Sequence, residues 1–258
     1  MRSSRNKHGY LGQSIELDRE LAKLRNQSKE LGWITESLSI DSDESLLFMH
    51  RSASSECCPS ILITGGIHGD EPATTASISK LILDDLLPKN GSYTVFPCLN
   101  PRGMRISSRE TPEGKDLNRD FRKAETIEVQ TELNRLQPIE RFDIALMLHE
   151  DWEADGFYLY ELTEPDAPPK FGRKVLDAVS QVCPVEKSPM IEGLEADKGL
   201  IHPPYHERKR PDWPEAFYLM RHKTNHSLTL ESPSDFDMEV RIEALNTAVL
   251  AAVKMLTD

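Results

Sequence analysis

The sequence has no long apolar run. Nowhere does it approach the ~18 successive apolar residues of a membrane-spanning helix, and its basic opening, MRSSRNKHGYLGQS, leads into no apolar segment of a secretory signal. Cysteine is sparse. Cys57 and Cys58 are adjacent, Cys98 and Cys183 stand alone, and no CxxC occurs. That argues against a disulfide framework and a cysteine-rich zinc site, and for reduced thiols and a cytoplasmic location. Positive charge is also short, with 31 Lys and Arg against 43 Asp and Glu and a formal net charge of −12. Such an acidic chain repels phosphate backbones, so neither nucleic acid nor a membrane is an expected partner. A Gly/Ser linker and internal repeats are missing too.

What is present reads as one soluble domain. With 258 residues, 38% hydrophobic and 29% charged, the chain suffices for a sizeable α/β core. Leu17, Leu21, Leu24 and Leu31 give residues 15–31 an amphipathic helical pattern that Gly32 stops. Further helices are expected at 73–87, 125–136, 170–182 and 235–256, the last with Ser234 as N-cap. Strands are expected at 46–49, 61–63, 93–97, 144–148, 157–160 and 228–230. Residues 100–119 read as a long irregular loop, a kind more often functional than idle, and 186–214 as irregular. Alternating strands and helices predict a single α/β domain over 1–258, with a mixed, mostly parallel central sheet flanked by helices.

In such sheets, sites gather at the carboxyl ends of strands. His68 with Glu71, His149 and Glu231 all fall at expected strand ends. His68 and Glu71 lie three apart in a turn loosened by Gly65, Gly66 and Gly69, and a distant imidazole such as His149 would complete the three protein ligands of a catalytic zinc site. Two other pairs compete, His202 with His206 and His222 with His226. Each has the four-residue spacing that shares a helix face. Pro203 and Pro204 interrupt the first, and the second lacks the Glu of HExxH. Taken singly, His68–Glu71 is a common chance pattern, Asp116-Leu-Asn-Arg-Asp-Phe121 a polar surface segment, and Glu231 an ordinary carboxylate.

Together these segments resemble the metallocarboxypeptidases of the carboxypeptidase A type and their relatives, the succinylglutamate desuccinylases and aspartoacylases. Gly65-Gly-Ile-His68-Gly-Asp-Glu71-Pro is similar to the first zinc motif of that family. Asn100-Pro-Arg-Gly103, Arg109 and Asp116-Leu-Asn118-Arg119, the His149 strand, and Thr229-Leu-Glu231-Ser-Pro follow in family order. The resemblance implies the phosphorylase/hydrolase-like architecture of zinc exopeptidases. It also implies one zinc ion on His68, Glu71 and His149, with Arg109 polarising the scissile carbonyl. Asn118 and Arg119 would hold a substrate carboxylate, and Glu231 would serve as general base and then acid. The sequence departs from the digestive enzymes at Asp70, where they carry an arginine. The catalytic tyrosine has only Tyr205 and Tyr218 as candidates.

This chemistry suits hydrolysis. Zinc lowers the pKa of a bound water from ~16 to about 7, a carboxylate moves the proton, and a planar guanidinium grips a carboxylate bidentately. The expected substrate is a small peptide or acylated amino acid with a free carboxylate. A peptidase acting on small or cell-wall-derived peptides is the first reading, and a hydrolase of N-acyl amino acids the second. A zinc-binding module without turnover is the third, and the presence of Arg109 and Glu231 speaks against it.

Overall fold

The computed structural model describes residues 13–53, 55, 57–164, 171–204 and 211–257. Its core is an eight-stranded mixed sheet. In chain order the strands are β1 (Ile34–Ser39), β2 (Ser45–Arg51), β3 (Ser60–Thr64), β4 (Ser92–Phe96), β5 (Ile144–Asp151), β6 (Tyr158–Thr163), β7 (Met190–Ile191), β8 (Leu194–Glu195), β9 (Leu200–Ile201) and β10 (His226–Pro233). The order across the sheet is β1-β2-β4-β3-β5-β10-β6-β9, and β7 and β8 form a separate hairpin. The central run β4-β3-β5-β10 is parallel. β1 and β2 on one side and β6 on the other are joined antiparallel.

Helices cover both faces, as a parallel centre requires. They are α1 (Leu17–Gln27), α2 (Pro72–Leu83), α3 (Pro101–Arg105), α4 (Ile127–Leu136), α5 (Gly172–Val179), α6 (Glu215–His222) and α7 (Met238–Thr257). The two-residue period of the strands assigns side chains to faces. Ile61, Ile63, Leu146, Leu148, Leu228 and Leu230 pack with α1, α2, α5 and α7. The alternating Leu62, Ala145 and Met147 pack on the other side with α4 and α6, through Val129, Leu136, Phe217 and Leu219. No described helix is long and apolar enough to cross a membrane.

The expected elements are present, with instructive shifts. The first helix ends in a 3₁₀ turn at Ser28–Leu31, and Gly32 closes it in the left-handed region at φ 84°. α2 stops at Leu83. β5 and β10 run on past His149 and Glu231, so both residues lie inside strands, two residues from their ends. α7 begins at Met238, so Ser234 is not its cap. β1 and α6 were not anticipated. β1 is a mostly exposed edge strand, ITESLS, without apolar alternation, and α6 follows the Pro/Gly-rich 186–214 stretch. Within 100–119, α3 and a 3₁₀ turn at Leu117–Arg119 give partial order.

Candidate metal centre and substrate pocket

Register explains why distant residues meet. His149 on β5 and Glu231 on β10 are direct neighbours across parallel strands, and Glu231 also faces Tyr158 on antiparallel β6. Three adjacent strands therefore present His149, Glu231 and Tyr158 in one row on one face. Met147, Thr229 and Tyr160 form the next row down. Both rows line a pocket of about 300 Å³.

The turn after β3 supplies the rest. Gly66 has φ +60°, and a Cβ on Gly69 would lie 2.1 Å from the Gly103 carbonyl carbon. The turn thus packs against α3 at a distance only glycine permits. Asn100 caps α3 by accepting from the Gly103 N–H, and its Nδ2 donates to the Arg109 carbonyl at 3.3 Å. The chain beyond α3 is thereby folded back over the pocket.

His68, Glu71 and His149 converge. One ligating atom from each lies within 4.8 Å of the others, and all three residues are buried. His68 Nδ1 is 2.6 Å from Glu71 Oε1, and His149 Nδ1 is 3.1 Å from Glu71 Oε2. Burial alone would raise the Glu71 carboxyl, but the two imidazoles pull it down to about 2. Burial would likewise lower His68, yet Glu71 and Asp116 hold it up at about 9. His149 is shifted upward as well, with Glu71 and Glu231 overcoming its burial. The surroundings therefore favour positive charge at this point, which a divalent cation would supply. The two-His, one-carboxylate donor set suits zinc. His68 Nε2 is buried, makes no aligned hydrogen bond, and lies 3.3 Å from Asp116 Oδ1. A carboxylate behind a ligating imidazole is the usual orienting partner. The residues present thus fit the metal.

The remaining expected residues ring this centre. Arg109 Nη1 is 3.3 Å from His68 Nδ1, and Nε and Nη2 of Arg109 pair with Asp116 Oδ2 at 3.1 and 3.0 Å. Asn118 and Arg119 line the pocket. Asn118 Oδ1 accepts the Glu215 N–H at 2.8 Å. Arg119 Nη1 donates to the Asn118 carbonyl at 2.8 Å. Glu231 is pushed up to about 8, chiefly by burial and then by Glu71, Asp151 and Glu192, against the pull of His149.

Among the described residues, the competing histidines form no further metal group. His222 ends α6 and His226 begins β10, so they share no helix face. His226 Nε2 lies 2.8 Å from Glu161 Oε1, and its ring stacks on Phe171 at 4.6 Å. His202 Nδ1 is 3.4 Å from the Glu161 carbonyl, and His206 lies outside the described residues. Of the tyrosine candidates, Tyr205 is also outside them, and Tyr218 packs on Phe121 and His222 away from the pocket. Among the described residues, Tyr158 and Tyr160 are the tyrosines that line the pocket, and Tyr158 donates to Asp151 Oδ2 at 3.0 Å. Sequence reasoning missed them, and it missed Asp116 as a partner of both His68 and Arg109. The motif Asp116-Leu-Asn118-Arg119 was the available signal for Asp116; none existed for the tyrosines.

Comparison with known proteins accords with this geometry. The fold is shared with a protein of Shewanella denitrificans OS217 assigned as a metallopeptidase, at TM-score 0.81 and 22% identity over 100% of this chain and 98% of that one. It is shared too with a metallo-carboxypeptidase from Pseudomonas aeruginosa, at TM-score 0.69 and 13% identity over 94% and 69%. The chain therefore has the fold of these two proteins. The model of the succinylglutamate desuccinylase/aspartoacylase catalytic domain matches residues 57–167. An 86-residue stretch is 34% identical to murein peptide amidase A of Escherichia coli K12. The stretch covers 33% of this chain and 35% of the length of that relative.

Proposed function

We propose that the protein is a zinc-dependent hydrolase that cleaves an amide bond beside a free carboxylate in a small peptide, including peptides of the murein type. One observation carries this reading. His68, Glu71 and His149 converge within 4.8 Å in a pocket that Arg109, Asn118, Arg119 and Glu231 also line. An attacking group, an oxyanion site and a carboxylate grip therefore have carriers in one cavity of substrate size.

One zinc ion held by His68, Glu71 and His149 would supply Lewis acidity and a water acidic enough to act at neutral pH. Arg119 offers a planar fork to the substrate carboxylate, with the Asn118 amide donors beside it. This fixes the scissile carbonyl toward Arg109, whose guanidinium Asp116 holds in place. Arg109 meets the negative charge that develops on the carbonyl oxygen. Glu231 takes the proton of the attacking water and delivers it to the departing amine nitrogen, so the bond breaks without releasing an amide anion. Tyr158 and Tyr160 wall the pocket beside Glu231 and shield this transfer from bulk water. We place this activity in the cytoplasm, with the whole chain acting as one catalytic domain.

The name of the amidase relative supports peptides as substrates. The match to the desuccinylase/aspartoacylase model supports a second reading, hydrolysis of N-acyl amino acids. Zinc-loaded protein assayed on short peptides, murein peptides included, and on N-acyl amino acids separates them. Release of a C-terminal fragment from peptides is the expected result. Turnover of N-acyl amino acids alone would overturn the first reading in favour of the second.

A further inference from the structure

The strand that carries His149 has a second polar residue at once after it. Residue alternation sends Glu150 to the opposite face of the sheet, away from the row that holds His149. There it meets Arg241 in the first turns of α7. Arg241 Nη1 lies 2.5 Å from Glu150 Oε1, and neither side chain has any solvent exposure. The other carboxylate oxygen, Oε2, accepts the Ala73 N–H at 2.8 Å. Ala73 is the second residue of α2, two places after Glu71, and its N–H has no partner inside the helix. A carboxylate at a helix start is also favoured by the helix dipole.

One carboxylate is therefore joined covalently to the His149 strand and by hydrogen bond to the helix that begins at Glu71. Arg241 holds it there from behind. The arginine spends its remaining reach on neighbouring elements. Its Nη2 donates to Gln13 Oε1, and its backbone carbonyl lies 3.5 Å from the hydroxyl of Ser232, next to Glu231. A buried ion pair is weak evidence for stability, since apolar residues of similar size often serve the fold as well. What this pair supplies is a fixed distance between two carriers of ligating atoms. Such sites tolerate displacements of only about 0.5 Å.

We infer that Arg241 and Glu150 are positioning residues of the metal centre, setting the spacing between His149 and the turn that carries His68 and Glu71. The inference rests on the reading that those three residues bind a divalent ion.

The test is a zinc titration of metal-free, full-length protein against a chromophoric chelator, with thermal melting of the same samples. Wild type and His149→Ala come first. If wild type binds no tighter than His149→Ala, the metal reading itself fails. Given a wild-type site, Glu150→Leu with Arg241→Met removes both charges, the bond between them and those to Ala73 and Gln13, while filling the space. That double variant is expected to melt cooperatively near wild type, with a zinc dissociation constant raised about 10–100-fold. Arg241→Lys, which keeps a cation beside Glu150, should recover part of the loss. A double variant that folds and binds zinc within twofold of wild type overturns the inference. So does one that no longer melts cooperatively, because the pair then serves the fold and not the site.

Discussion

Two His–Glu clusters among the described residues of this protein are built for opposite ends. At His226 and Glu161 a single imidazole meets a single carboxylate. That carboxylate also accepts the N–H groups of Phe171 and Gly172, and the ring is stacked flat on Phe171 at 6°. At His68, Glu71 and His149 two imidazoles converge on one carboxylate, the backbone supplies no bonds to it, and the face toward the pocket is open. The first cluster is tied into the fold by backbone donors and a stacked ring. The second gathers donors of a kind that could hold a metal ion. Residue type does not separate a structural histidine from a ligating one; the tally of partners and the open side do.

The largest test of that contrast is alanine at either end. His149→Ala should abolish zinc retention and activity together. His226→Ala should leave one zinc bound, as metal analysis of the two purified variants would reveal. Next in size is Glu231→Gln. It should keep zinc and lose about 10²–10⁴-fold in kcat, and normal turnover by this variant would remove Glu231 from the reaction. Arg109→Ala should lower kcat about 10²–10³-fold with zinc retained, read by steady-state kinetics on whichever substrate the panel identifies.

The smallest effect on chemistry belongs to the backbone-anchored cluster. Glu161→Ala strands two backbone donors and an imidazole, and should cost about 3 kcal/mol of stability without moving the zinc constant. Burial alone would raise the Glu161 carboxyl, but the bonds from His226, Phe171 and Gly172 hold it below its ordinary 4.5. Its stabilising contribution is therefore full above pH 4.5 and is lost as pH falls through the lower folded-state value. Melting curves of wild type and Glu161→Gln should converge on acidification through that window. A gap that widened instead would contradict the assignment.

Much of the site is legible in the chain because its carriers are local. His68 and Glu71 share one glycine-rich turn, and the apolar strands that hold His149 and Glu231 announce themselves by composition. What is not legible depends on which strands lie side by side. Tyr158 reaches the pocket only because β6 pairs antiparallel with β10 and sets it opposite Glu231. Asp116 gains its role from a fold-back that brings it to His68 and Arg109 at once. Arg241 is 91 residues from Glu150, in a helix whose pattern alone reads as amphipathic surface. β1 was hidden for a related reason. As an edge strand it is held by one neighbour and needs no apolar period.

The most direct measurement is zinc K-edge X-ray absorption on the purified, zinc-loaded protein and on His149→Ala. The account predicts one zinc per chain, with two imidazole nitrogens and a carboxylate oxygen at about 2.0–2.2 Å, and loss of that signature in the variant. Stoichiometric zinc with an unchanged spectrum in His149→Ala, or no tightly held metal in wild type, would contradict it.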